Sequence, residues 1–201
     1  ENKPQYRILL LIALAHGLND LIQGMIPSIY PALQAKYALT MTQIGVITLC
    51  YQLSASILQP LVGNYTDKHP KPYSQVLGMA FTTLGAIFLS MASSYTTILL
   101  SVVLIGVGSS VFHPESSRVA FLASGGKRSF AQAIFQLGGN LGTAFAPLLV
   151  ILLVFSKKVV DGQLIEEAHQ ERLIWFCSFS IFAMLILILI GKWRSILLKL
   201  L

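Results

Sequence analysis

A polar stripe runs along an otherwise apolar first segment, and it constrains the chain more than any other feature. From Ile8 to Leu33 the residues read ILLLIALAHGLNDLIQGMIPSIYPAL. About 20 residues at ~1.5 Å each cross the hydrocarbon core of a bilayer, so the segment is long enough to span it. His16, Asp20, Gln23 and Pro27 recur at helical spacing and share one face. Asp20 falls near mid-span. A carboxylate there costs roughly several kcal/mol unless it meets a wet cavity or a partner. Intramembrane acids of this kind mark ion, proton or substrate paths, which makes His16 and Asp20 candidates for proton coupling.

Five more apolar segments follow. With 55% hydrophobic and only 11% charged residues, the chain falls far below the ~25% charge of a soluble domain. It reads as an all-α integral membrane protein. The expected spans are 8–33, 42–63, 74–93, 97–119, 130–155 and 173–191. They form a six-helix domain over residues 1–191. Residues 192–201 alternate bases with apolar residues, as an interfacial helix does, and read as the start of an amphipathic linker. The first apolar run is too long for a cleaved signal peptide and lacks a small-residue cleavage site. Glu1 in place of Met is expected of a piece of a longer protein. Cys50 and Cys177 lie inside apolar segments, so no disulfide framework or thiol metal site is implied. No cofactor is expected.

The bases set the orientation. Lys3, Arg7, Lys68, Lys71, Arg118, Lys127, Arg128, Lys192, Arg194 and Lys199 fall on one side; Lys36, Lys157, Lys158 and Arg172 fall on the other. The richer side is expected to be cytoplasmic, with both termini there. The net charge of +6 is then topological and gives no support to nucleic-acid binding.

Polar faces recur in four spans. Gln52, Ser56, Gln59 and Gly63 share a face in the second. Gln132, Gln136, Asn140, Thr143 and Pro147 do so in the fifth. The fourth ends in GVGSSVFHPESSR, with His113, Glu115 and Arg118 around Pro114. The third and sixth carry almost none. Four helices are thus expected to line a cavity while two support them. For Gln59, Asn140 and Thr143, interhelical hydrogen bonding is an equally good reading. Gly138, Gly142 and Ala146 stand four apart and predict close helix approach. Tyr51-Gln52-Leu53 recurs as Phe135-Gln136-Leu137, a faint mark of two inverted three-helix repeats.

The second-to-third connection, G-N-Y-T-D-K-H-P-K-P, resembles the major facilitator superfamily signature G-x-x-x-D-[RK]-x-G-[RK]-[RK]. Gly63, Asp67, Lys68 and Lys71 match; Pro70 and Pro72 depart from it. HGLNDLIQ, QIGVITLCYQLSASILQPLVG, VGSSVFHPESSRVA and IFQLGGNLG are similar to stretches of the bacterial fosmidomycin resistance proteins, drug-efflux members of that superfamily. The resemblance implies the amino-terminal half of a twelve-helix transporter in a bacterial inner membrane. It implies alternating access about a central site, export of a small anionic antibiotic, exchange with protons, and no enzymatic activity. Asp20, His16 and Glu115 would couple protons. Gln52, His113, Arg118, Gln136 and Asn140 would meet the small-molecule substrate. Gly63, Asp67, Lys68 and Lys71 would form the cytoplasmic gate, with Asp67 paired to Arg118. The partner would be a carboxy-terminal six-helix half or a second copy of the chain.

Many drug–proton antiporters have an arginine in the fourth helix where this chain has Val102. His113, Glu115 and Arg118 remain for that role. Rival readings are a symporter or exporter of another solute, an isolated half without activity, and an intramembrane hydrolase built on Ser109 or Ser110 with His113. The last lacks a G-x-S-G nucleophile turn.

Overall fold

A computed structural model describes residues 3–160 and 163–200. The chain runs α1 (Tyr6–Ser28), α2 (Tyr30–Tyr37), α3 (Met41–Lys68), α4 (Ser74–Ser90), α5 (Tyr95–Leu122), α6 (Arg128–Val154), β1 (Phe155–Val160), β2 (Gln163–Ala168), a short 3₁₀ turn (Gln170–Trp175) and α7 (Phe176–Leu200). Five helical stretches are long and apolar enough to cross a membrane. The sixth, α4, has 17 residues. At ~1.5 Å per residue it falls a little short of a ~30 Å core.

Local chemistry sets these boundaries. Thr40 caps α3: its hydroxyl accepts from the Gln43 N–H (3.2 Å) while Gln43 Oε1 accepts from the Thr40 N–H (2.9 Å). Ser94 and Thr97 cap α5 in the same way. Each reciprocal pair satisfies two otherwise orphaned donors. The first predicted span divides at Ile29, between Pro27 and Pro31. Ala38 closes α2 in the left-handed region at φ 51°, a conformation that usually falls to glycine.

The helices with polar stripes also carry the internal prolines: Pro27, Pro60, Pro114 and Pro147. Proline removes one ladder hydrogen bond and bends a helix, which membrane helices tolerate when neighbours satisfy the freed carbonyl. α4 and α7 have none.

α1 lies along α6, and α5 lies between α3 and α4. α7 covers α1 and α4. The α1–α6 approach depends on glycine. A Cβ at Gly138 would strike the Ala13 carbonyl, and one at Gly142 would strike that of Gly17. The four-residue spacing predicted for close packing is the contact itself. Buried Ile12, Ile22, Met25, Phe112, Phe135 and Leu187 contribute to one apolar core. Outside it, Leu53, Ile57, Leu61, Leu152, Phe182 and Leu189 are exposed. So large an apolar exterior suits lipid rather than water.

Two features differ from the sequence reading, and α7 runs past its expected span. β1 and β2 pair antiparallel, with Phe155 opposite Ala168 and Val160 opposite Gln163. α7 continues past Gly191 to Leu200 without a break. The supporting helices are also more polar than expected: α4 buries Gln75, Thr82 and Thr83, and α7 buries Ser180 and Arg194.

The connection after the hairpin is pinned by one amide. Buried Gln170 donates from Nε2 to the carbonyls of Leu89 (2.6 Å) and Ala92 (3.2 Å). Its Oε1 accepts from Lys36 Nζ (2.9 Å) and the Tyr37 hydroxyl (2.8 Å). α2, the α4–α5 turn and the start of α7 thus meet on a single side chain.

Candidate functional site

Two polar clusters sit on α5, one near mid-span and one near the end that carries the termini. The first centres on Asp20. His16, one turn earlier on α1, places Nε2 3.2 Å from Asp20 Oδ2. His113 of α5 places Nε2 3.2 Å from Asp20 Oδ1. Both rings are anchored by their other nitrogen. His16 Nδ1 lies 2.8 Å from the Phe135 carbonyl of α6, and His113 Nδ1 lies 3.0 Å from the Ser109 carbonyl. His16 also stacks on the Phe135 ring at 3.9 Å. Its side chain is 1% exposed, against 25% for His113 and 15% for Asp20. The facing nitrogen and oxygen atoms of the three lie within 4.8 Å of one another.

Neighbouring amides and hydroxyls complete this cluster. Asn19 Nδ2 donates to Asp20 Oδ1 (3.1 Å). Gln23 Oε1 accepts from the Tyr51 hydroxyl of α3 (2.5 Å) and from Ser109 Oγ (3.2 Å). Ser109 Oγ also lies 3.1 Å from His113 Nδ1. The repeated triplets therefore flank the α1 stripe from both sides, Tyr51 through its hydroxyl and Phe135 through its carbonyl and ring. That function for the triplets was not legible from their letters.

The second cluster centres on Glu115, which is fully buried. Its Oε2 accepts from Ser74 Oγ of α4 (2.6 Å) and from Arg194 Nη1 of α7 (2.6 Å). Arg118 Nη1 lies 3.0 Å from Oε1 and donates to the Thr66 carbonyl of α3 (2.7 Å). Arg118 also pairs with Asp67, as their shared membrane level predicts. α3, α4, α5 and α7 are thereby tied at one end by two acids and two arginines. A buried carboxylate is tolerated only when charge and hydrogen bonds compensate its lost hydration, and here they do. Arg194 was read as an interfacial base, and sequence reasoning missed it. Its lone clue is a position one helical turn inside the last basic residues.

The structure divides the residues predicted to meet substrate. His113 joins Asp20. Arg118 joins the gate cluster, beside a recess of about 590 Å³ lined by Gly63, Asp67, Pro114 and Gln132. Gln52, Gln136 and Asn140 are exposed on α3 and α6, where Gln136 Nε2 donates to Asn140 Oδ1 (3.3 Å). Of the predicted gate residues, Gly63 lies with its carbonyl facing Arg118, while Lys68 and Lys71 are exposed.

Apolar helices around buried, interhelical charge clusters define a polytopic membrane protein of the secondary-transporter class. The Major Facilitator Superfamily profile matches residues 12–198, and the chain belongs to that superfamily. It is 45% identical over 193 residues to the fosmidomycin resistance protein of Escherichia coli strain K12, covering 96% of this chain and 45% of that protein. It is 43% identical over 190 residues to YfnC of Bacillus subtilis strain 168, described as an uncharacterized MFS-type transporter, covering 94% of this chain and 44% of that one. The chain thus spans a little under half the length of these relatives. A bacterial homologue of the human lysosomal transporter Spinster, solved inward-facing and unoccupied, superposes with a TM-score of 0.72 at 18% identity, covering 92% of this chain and 42% of that one. FucP, solved in the outward conformation, gives 0.61 at 18% identity over 94% of this chain and 49% of its own.

Proposed function

We propose that the chain supplies the six-helix amino-terminal half of an exporter of small anionic antibiotics such as fosmidomycin. The exporter works by alternating access and is driven by proton exchange. It lies in a bacterial inner membrane with both termini cytoplasmic. The observation that carries this reading is Asp20, a mid-span carboxylate held between His16 of its own helix and His113 of α5. Acid and imidazole at that depth form a site for loading and releasing protons. Similarity to the E. coli fosmidomycin resistance protein supports the cargo.

The Glu115, Arg118 and Asp67 cluster serves as the cytoplasmic latch. Arg118, beside its recess, meets the anion early. Gln52, Gln136 and Asn140 stand as neutral donors on α3 and α6. A second six-helix half, or a second copy of this chain, completes the site against those two helices.

The test is drug resistance. A sensitive bacterium expressing the complete transporter becomes resistant to fosmidomycin, and Gln136→Ala or His113→Ala weakens the resistance at equal protein level. Unchanged sensitivity at normal membrane abundance overturns the cargo.

A further inference from the structure

Each histidine in the Asp20 cluster sits between two acceptors. His16 has the Phe135 carbonyl at Nδ1 and Asp20 Oδ2 at Nε2. His113 has the Ser109 carbonyl at Nδ1 and Asp20 Oδ1 at Nε2. A neutral imidazole carries one N–H, so whichever tautomer is chosen, one nitrogen presents a lone pair to an oxygen lone pair. Beside an ionised Asp20, only an imidazolium, with two N–H groups, satisfies both contacts. That holds for both rings. They differ in what each can do on losing the proton.

His16 has no alternative donor. Its Nδ1 faces only the fixed carbonyl of Phe135, and the Phe135 ring covers it. Beside an ionised Asp20, neutral His16 would leave one of its two acceptors without a donor. His113 has an alternative in Ser109. The Ser109 hydroxyl donates to Gln23 Oε1 at 3.2 Å, yet His113 Nδ1 lies 3.1 Å from the same oxygen. Rotating the hydroxyl hydrogen from Gln23 to Nδ1 satisfies a neutral His113 that keeps its Nε2–H on Asp20. The Ser109 carbonyl stays 3.0 Å from Nδ1, but Nδ1 now has a hydroxyl donor, and Gln23 Oε1 retains the Tyr51 hydroxyl. His113 is also the more exposed ring, at 25%.

We propose that His113 is the proton-carrying residue of the Asp20 cluster, with Ser109 Oγ–H as the switch that stabilises its neutral form. Loading adds one proton to His113 Nδ1 and turns the Ser109 hydroxyl to Gln23. Release returns that proton to water and turns the hydroxyl back. Each cycle then changes the charge of the cluster by one. This rests on the proton-coupled reading above and names the group that titrates.

The surroundings leave His113 as the exchanging group. From α3 the facing ionisable group is Tyr51, whose hydroxyl is held on Gln23. α6 presents Phe135 and Gly139, which do not ionise. On α5, Glu115 points away to Ser74, and Arg194 of α7 is bound to that carboxylate. α4 adds no ionisable side chain to the cluster among the described residues.

The test is nitrogen-15 NMR of histidine-labelled complete transporter in lipid, without drug, between pH 5 and pH 9. Resonances are assigned with His16→Gln and His113→Gln variants. His113 is expected to pass from two protonated ring nitrogens to Nε2–H alone. Ser109→Ala removes the donor to the neutral form and raises the His113 midpoint by about one pH unit. Titration of His16 with His113 unchanged, or a His113 midpoint that Ser109→Ala leaves in place, overturns the assignment. If His113→Gln does not fold, Ser109→Ala alone decides. Drug resistance is scored separately. Titration without resistance leaves this inference standing and the transport reading fallen; resistance without titration does the reverse.

Discussion

Arg194 Nη1 of α7 lies 2.6 Å from Glu115 Oε2 of α5, and neither side chain reaches solvent. The pair joins the last helix to the helix that carries both charge clusters.

Removing one partner from a buried pair strands the other charge, which costs about 3–5 kcal/mol. Glu115→Gln alone and Arg194→Gln alone should each lower the melting temperature of the complete protein sharply. The double variant should lose less than the sum. Arg118 stays beside the vacated acid site in both backgrounds, so the non-additive part reports the Glu115–Arg194 contact. Strictly additive losses in a thermal double-mutant cycle sink this relationship.

Asp67 and Arg118 form the partner relationship at the surface. Asp67 is 69% exposed, while Arg118 is 19% exposed. An exposed pair contributes about 0–1 kcal/mol. Asp67→Asn should therefore leave the melting temperature nearly unchanged. Arg118→Gln should cost more, because it also vacates the Thr66 carbonyl and leaves Glu115 with Arg194 alone. Transport rate is the sensitive readout for Asp67, since the latch is proposed to part in each cycle. Equal thermal losses for the two variants contradict this ordering.

How much of this was legible depends on how local the signal was. Asp20 and His16 stand four apart on one helix, so periodicity alone joined them. Asp67 and Arg118 were matched because orientation put them at one membrane level. Arg194 was hidden: a base among apolar residues near a helix end reads as an interfacial anchor, and only tertiary packing turns it onto Glu115. Gln75 and Ser74 were hidden for the same reason, as polar residues on a helix judged lipid-like. The hairpin had a local signal. Asp161-Gly162 between two extended runs is a strong hairpin dipeptide, overlooked beside the stronger pattern of spans. Those two residues lie outside the described ones. Gln170 had no signal, because its four partners come from two distant places, α2 and the α4–α5 turn region.

Gln170 gives a clean stability test. Gln170→Ala leaves the Leu89 and Ala92 carbonyls and the Tyr37 hydroxyl with fewer partners in a buried place. Each unsatisfied buried group costs about 1–3 kcal/mol, reduced where water enters. A loss of about 2–4 kcal/mol is expected by reversible unfolding in detergent. Gln170→Glu keeps the shape but exchanges the amide donors for a charge beside two carbonyls, and it should be at least as damaging. Wild-type stability in both variants removes Gln170 as the anchor.

Asp20→Asn tests the mid-span cluster as a whole. The amide keeps the volume and removes the charge that both imidazoles face. Proton-driven uptake of drug into everted vesicles carrying the complete transporter should be abolished, while the protein still folds and inserts at normal yield. Normal pH-driven movement in this variant makes Asp20 structural.

Orientation is tested at the hairpin. Glu115–Arg194 and the contact from the Gln5 N–H to the Ala123 carbonyl lie at the end that carries the termini. The hairpin and Gln170–Lys36 lie at the opposite end. The ten bases on the first side against four on the second are the ground for proposing that the first side is cytoplasmic. Val159 on β1 is 66% exposed and serves as the probe. With Cys50 and Cys177 replaced, Val159→Cys should react with an impermeant maleimide added to intact cells. A cysteine at Lys71, on the exposed turn before α4, should react only after the membrane is permeabilised. The reverse pattern inverts the protein in the membrane. It would also move the Arg118 recess to the outer face, where an exported anion would meet it last.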